Sequence, residues 1–133
     1  MSEKLYQTIA QLVQARENCK KSNNREWLDK HESRITDLVK SFLPSGSGFD
    51  NGTQIDLDES TPNRLVFHTA YHHMNDGGYY DGWTEHSVIV TPDLASGFDL
   101  RITGRDRREI KDYIGEVFHH ALSVDTSEQS VTP

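Results

Sequence analysis

The run LVFHTAYHHMNDGGYYDGWTEHSVIV, residues 65–90, constrains the chain most: two strand-like segments meet across a bend rich in Gly and Tyr. Such a pattern predicts an antiparallel hairpin, with alternate residues projecting to opposite faces. On the outgoing strand Leu65, Phe67, Thr69, Tyr71 and His73 share one side, and Val66, His68, Ala70, His72 and Met74 the other. On the returning strand Thr84, His86, Val88 and Val90 form one set and Trp83, Glu85, Ser87 and Ile89 the other. The bend has Gly77, Gly78 and Gly82 for unusual backbone angles and Asn75, Asp76 and Asp81 for local turn bonds. Tyr79, Tyr80 and Trp83 on that polar loop form a recognition surface, because a core ring needs packing partners all round.

Upstream, Leu5, Ile9, Leu12 and Val13 recur at helical spacing, and Trp27, Leu28, His31, Ile35, Leu38, Val39 and Phe42 form a second stripe beyond a Ser-Asn-Asn break. These predict two helices, ending before Pro44 and forming a helical hairpin. Downstream of residue 90, Phe98, Leu100 and Ile102 alternate with Asp99, Arg101 and Thr103 as another strand. Asp106 and Glu109 have capping-box spacing, and Ile110, Tyr113, Ile114, Val117, Phe118 and Leu122 then mark a helix that covers the sheet. The expected fold is α+β: a helical hairpin in residues 1–43, an antiparallel sheet in 53–103 and a C-terminal helix in 106–122. Together they make one domain, residues 1–122, and residues 123–133, lacking any apolar pattern, read as a disordered tail.

Only 34% of the 133 residues are hydrophobic and 26% are charged, so a lone subunit has a thin core and association into a homo-oligomer is expected. The single cysteine, Cys19, excludes an intrachain disulfide and fits a reducing, cytoplasmic compartment. No long apolar run suggests a membrane span or secretory signal. The net charge of -7 argues against duplex nucleic acid and anionic membranes as partners, where counterion release rewards basic surfaces.

Within this acidic chain Arg101, Arg105, Arg107, Arg108 and Lys111 cluster where a strand leads into a helix N-terminus, a setting suited to phosphate oxygens. The bland alternative is a solvated face paired with Asp99, Asp106 and Glu109. With aromatic groups from the bend, the arginines supply stacking for a base and donors for phosphates, which points to a compact nucleotide. LPSGSGFDNGT, residues 43–53, is either a connector or an anion-binding nest. His68, His72 and His86, taken as sharing one sheet face with Asp76 or Glu85 near, make a metal-assisted nucleotide hydrolase or phosphodiesterase the enzymatic alternative. No HExxH or CxxC motif supports a metal site, and Cys19 has no His–acid partner in view, so the leading expectation is a protein without catalysis, metal or cofactor. A third alternative is an interaction module whose N-terminal helices mask a host protein.

The segments LPSGSGFDNGT, FHTAYHHM, YYDGWTEH and GFDLRITGRDRREIKDYI together resemble a family of small phage proteins, the Thoeris anti-defence sponges, across residues 5–122. The resemblance implies a protein of the infected host's cytoplasm that sequesters cyclic ADP-ribose isomers made by bacterial TIR enzymes and releases them intact. In some members a second site holds cyclic oligonucleotides. It also implies N-terminal helices joined to a β core, and assembly as a dimer or a hexamer. Carried over by position, Tyr79, Tyr80 and Trp83 are the expected base contacts, and Arg101, Arg105 and Arg108 the expected phosphate contacts.

Overall fold

The computed structural model describes residues 4–45, 49, 52–74, 80–93, 97–104 and 108–126. Helix α1 (Leu5–Lys21) turns Leu5, Ile9, Val13 and Arg16 inward, the i, i+4 recurrence seen in the sequence. Asn23 then takes the left-handed conformation (φ 57°), which Asn tolerates better than most residues, and Asn24 Oδ1 accepts a hydrogen bond from the Trp27 N–H at 3.3 Å. That cap opens α2 (Arg25–Phe42), which buries Ile35, Leu38 and Val39. Arg16 is almost wholly buried and closes the helical hairpin through Glu32, Nε to Oε1 at 2.8 Å. Trp27 departs from the expected apolar stripe: it is half exposed in the first turn of α2, with Lys30 Nζ 4.6 Å from its ring centroid and the His31 ring at 5.8 Å.

The sheet is antiparallel, in the order β1 (Thr53–Ile55), β2 (Leu65–Met74), β3 (Tyr80–Asp93) and β4 (Gly97–Thr103). Helix α3 (Arg108–Leu122) completes the α+β fold expected from the sequence. Its Ile110, Ile114, Phe118 and Leu122 join α1, α2 and the inner sheet residues Leu65, Phe67, Val88, Val90 and Phe98 in one cluster. At its centre Phe67 and Phe118 meet edge to face, ring centroids 6.2 Å apart. The other sheet face is polar and open, with Gln54, His68, Glu85, Arg101 and Thr103 exposed.

The chain beyond α3 is partly built into the domain, contrary to a free tail from residue 123. Leu5 N–H donates to the Val124 carbonyl at 2.8 Å, Lys4 and Asp125 form an antiparallel bridge, and the Thr8 and Thr126 hydroxyls lie 2.6 Å apart. Backbone pairing of this kind leaves no apolar signature in a sequence. Residues 127–133 lie outside the described residues. Among the described residues no helix is long and apolar enough to cross a membrane.

Candidate functional site

The strand register brings two chemically distinctive segments to one end of the sheet. β2 and β3 run together toward the bend as far as His72↔Trp83 and Met74↔Tyr80, while β4 ends at Thr103, opposite Ser87. Gly104 follows, packed against the His86 ring and the Glu85 carbonyl. At this end the inner face changes from apolar to polar: Thr53, Thr69 and His86 occupy one cross-strand row and all are buried. The Thr53 hydroxyl donates to the Pro44 carbonyl at 2.9 Å and the Thr69 hydroxyl to the Gly52 carbonyl at 3.5 Å, clamping the Gly-rich connector across the sheet. His86 Nδ1 lies 3.2 Å from the Thr103 carbonyl, which can only accept, so the proton sits on Nδ1.

Beside this row, three rings gather from distant parts of the chain. Phe49, in the connector, lies 5.0 Å from Tyr71 and 6.5 Å from Tyr113, and the two tyrosines are 5.8 Å apart, centroid to centroid. Phe49 is buried, whereas Tyr113, in the second turn of α3, is 43% exposed. An exposed ring backed by two others is a stiff stacking surface. Nothing in the sequence marks Phe49 and Tyr113 as contacts, because each fits a bland pattern: one ring in a Gly-Ser loop, and one position in an apolar helical stripe.

The sequence-derived contacts fall in different places. Tyr79 and Arg105 lie outside the described residues, as does the Asp106 cap. Tyr80 and Trp83 belong to β3 at the bend end, paired with Met74 and His72. Arg101 sits opposite Ile89 and is exposed on the open sheet face, several residues from that end. Arg108 opens α3 on the other side of β4, its Nε 3.9 Å from Asp112 Oδ2. It lines a groove of about 760 Å³ with Lys111, Leu100 and Ile102. Arg101 and Arg108 of one chain are therefore not brought together.

The histidines do not share the face expected of them. β2 residues Leu65, Phe67 and Thr69 pair with Val90, Val88 and His86, so His86 faces the core while His68 faces solvent. A shared ligand set of His68, His72 and His86 is excluded by this one-residue parity. Among the described residues no three His, Cys, Asp or Glu side chains gather as a metal site. His68 instead belongs to a hydrogen-bonded chain on the open face: Nε2 lies 3.0 Å from Asp56 Oδ2 and Nδ1 3.0 Å from Ser87 Oγ. Since a carboxylate only accepts, Nε2–H donates to Asp56, and the neutral ring's Nδ1 accepts from the Ser87 hydroxyl. Sequence separation hid this chain; Asp56 directly follows β1 and Ser87 is on β3, beside His68.

The His68 hydrogen bond, followed by one from the Glu59 N–H, holds the Asp56 carboxyl below the usual carboxylate range. Because the folded value is the lower one, the resulting stabilisation is complete above the ordinary carboxylate pKa and is lost as pH falls through the lowered folded value. A carbon-detected NMR titration should show Asp56 titrating below a typical Asp, and His68→Ala should move it back up. An unchanged midpoint in His68→Ala would remove His68 as the cause.

Comparison with protein-family models, curated proteins and solved structures returns no match.

Proposed function

We propose that this protein is a phage anti-defence sponge that binds a cyclic nucleotide signal, a cyclic ADP-ribose isomer, and sequesters it intact in the host cytoplasm. The reading rests on one observation: the hairpin end that carries Tyr80 and Trp83, the exposed Tyr113 ring and the end of β4 ahead of α3 lie toward one end of the sheet. Tyr113, backed by Tyr71 and Phe49, is the described stacking surface for the base, and Tyr79, Tyr80 and Trp83 of the hairpin bend are the further candidate contacts. Arg105 and Arg108 bind the phosphates, whereas Arg101, on the open face, does not reach them in the same chain. Affinity comes from preorganised rings and charge-assisted hydrogen bonds, and no bond in the ligand need break.

The test is a thermal-shift screen of cyclic ADP-ribose isomers, since a ligand that prefers the folded state raises its apparent stability. Heating the complex should return the intact molecule. Arg105→Ala should weaken binding by roughly 10- to 100-fold, about 1.5–3 kcal/mol, if its hydrogen bond to the phosphate is desolvated. The absence of any shift across the isomers would overturn the reading.

A second reading is favoured by the Asp56–His68–Ser87 chain, which has the connectivity of an acid-oriented base beside a hydroxyl nucleophile. Gln54, Glu85 and Thr103 line the adjoining cavity of about 580 Å³. The same incubation separates the two. Hydrolysed ligand, formed by the wild type and not by Ser87→Ala, would make the protein an enzyme; intact ligand keeps it a sponge.

A further inference from the structure

Among the described residues β4 is the last strand of the sheet, with β3 as its one strand neighbour. The direction of its backbone groups follows from hydrogen bonds at the far side of the sheet. Asp56 N–H donates to the Val66 carbonyl at 2.8 Å and Val66 N–H donates to Ser60 Oγ at 2.9 Å, so Val66 turns both groups toward β1. Leu65, Phe67 and Thr69 then face β3, which makes their pairs with Val90, Val88 and His86 the hydrogen-bonded ones. By alternation Ser87, Ile89 and Thr91 turn toward β4, bonded to Thr103, Arg101 and Asp99. Pro92 is consistent with this order, since its missing N–H falls on the β2 side, beyond the start of that strand. Phe98, Leu100 and Ile102 consequently direct their N–H and C=O groups away from β3, toward the sheet edge.

We infer that this edge pairs antiparallel with β4 of a second copy of the chain, about a twofold axis through Leu100. The register is selected by charge. Centred on Leu100, the whole of Gly97–Thr103 pairs with itself, and Asp99 stands opposite the partner's Arg101, with Arg101 opposite the partner's Asp99. Both are non-hydrogen-bonded pairs, the class in which side chains approach most closely. Centring on Asp99 would oppose two carboxylates and centring on Arg101 two guanidiniums, each destabilising. In the favoured register Leu100 bonds to its own mate and Ile102 to Phe98 of the other copy, extending the ladder into one continuous sheet. Leu100 and Ile102, only partly buried in one chain, then gain cover on the inner face, where the groove beside α3 meets its twofold mate. The strand has no proline and no lysine along this edge, the usual devices that prevent such pairing. The inference stands independently of the ligand.

Sedimentation velocity tests it. The wild type should run at no less than twice the 15.2 kDa chain mass. Arg101→Asp, which sets two carboxylates against each other in both pairs, should halve the particle mass. The swap Asp99→Arg/Arg101→Asp should restore it. Both positions are exposed, and circular dichroism should show each variant folded. Amide exchange adds the location: the Leu100 and Ile102 N–H groups should be protected in the wild type and exchange faster in Arg101→Asp. A monomeric wild type, an unchanged mass in Arg101→Asp, or a folded double swap that stays dissociated would overturn the inference.

Discussion

Gly104→Ala is expected to lower the stability of the domain by about 2–4 kcal/mol, enough to reduce its unfolding temperature by roughly 10 °C. Two independent costs add. Gly104 has φ +143°, a conformation L side chains rarely adopt, and a Cβ there would clash with His86 Nδ1 and lie 3.0 Å from the Glu85 carbonyl oxygen. His86 cannot step aside cheaply, since it is 2% exposed and bonded to the Thr103 carbonyl. Gly115→Ala is the matched control. Gly115 is helical, and its added Cβ would meet only the terminal methyl of Ile102 at 3.1 Å, so about 1 kcal/mol of gained helix propensity offsets a small shift. Thermal unfolding of the two variants should therefore separate widely. Equal midpoints would mean that the β4 exit is not held against His86.

Much of this architecture is legible in the residues. The i, i+4 recurrences of Leu5, Ile9 and Val13, and of Ile35 and Val39, give the helical hairpin because the core can cover only one stripe of each helix. Phe98, Leu100 and Ile102 give β4 by alternation. What failed was the match between the two long strands. Their register shifts at His73/Met74, and odd residues of β2 meet even residues of β3. The clue was present: Leu65 and Phe67 are the apolar set on one strand, Val88 and Val90 on the other, and burying both sets together seats His86 opposite Thr69. Grouping residues by their histidines instead of their hydrophobic partners set His86 on the wrong face. The Asp56–His68–Ser87 chain and the Phe49–Tyr71–Tyr113 rings were hidden for a different reason. Each joins three segments whose separation in sequence carries no periodic signal, so only the folded arrangement brings them together.

Phe67→Ala is expected to have the largest effect of any single truncation in the core, about 3–5 kcal/mol. Phe67 has no exposed surface and lies in the row Ile55, Phe67, Val88, Ile102 that crosses all four strands. It meets Phe118 of α3 edge to face, so truncation removes both the transferred apolar area and the contact joining sheet to helix. Domains of this size are commonly stable by about 5–15 kcal/mol, which makes the loss a large fraction of the total. Urea unfolding should show a much lower midpoint, with Phe67→Leu retaining most of it because less volume is lost. The same variant probes the proposed site, since Tyr113 and Arg108 ride on α3 and the hairpin end does not. A ligand spanning both should recover part of the loss, about 2.7 kcal/mol at a hundredfold excess over its dissociation constant. The dissociation constant should rise in Phe67→Ala when the ligand bridges sheet and helix, and an unchanged value would place the binding groups on one element alone.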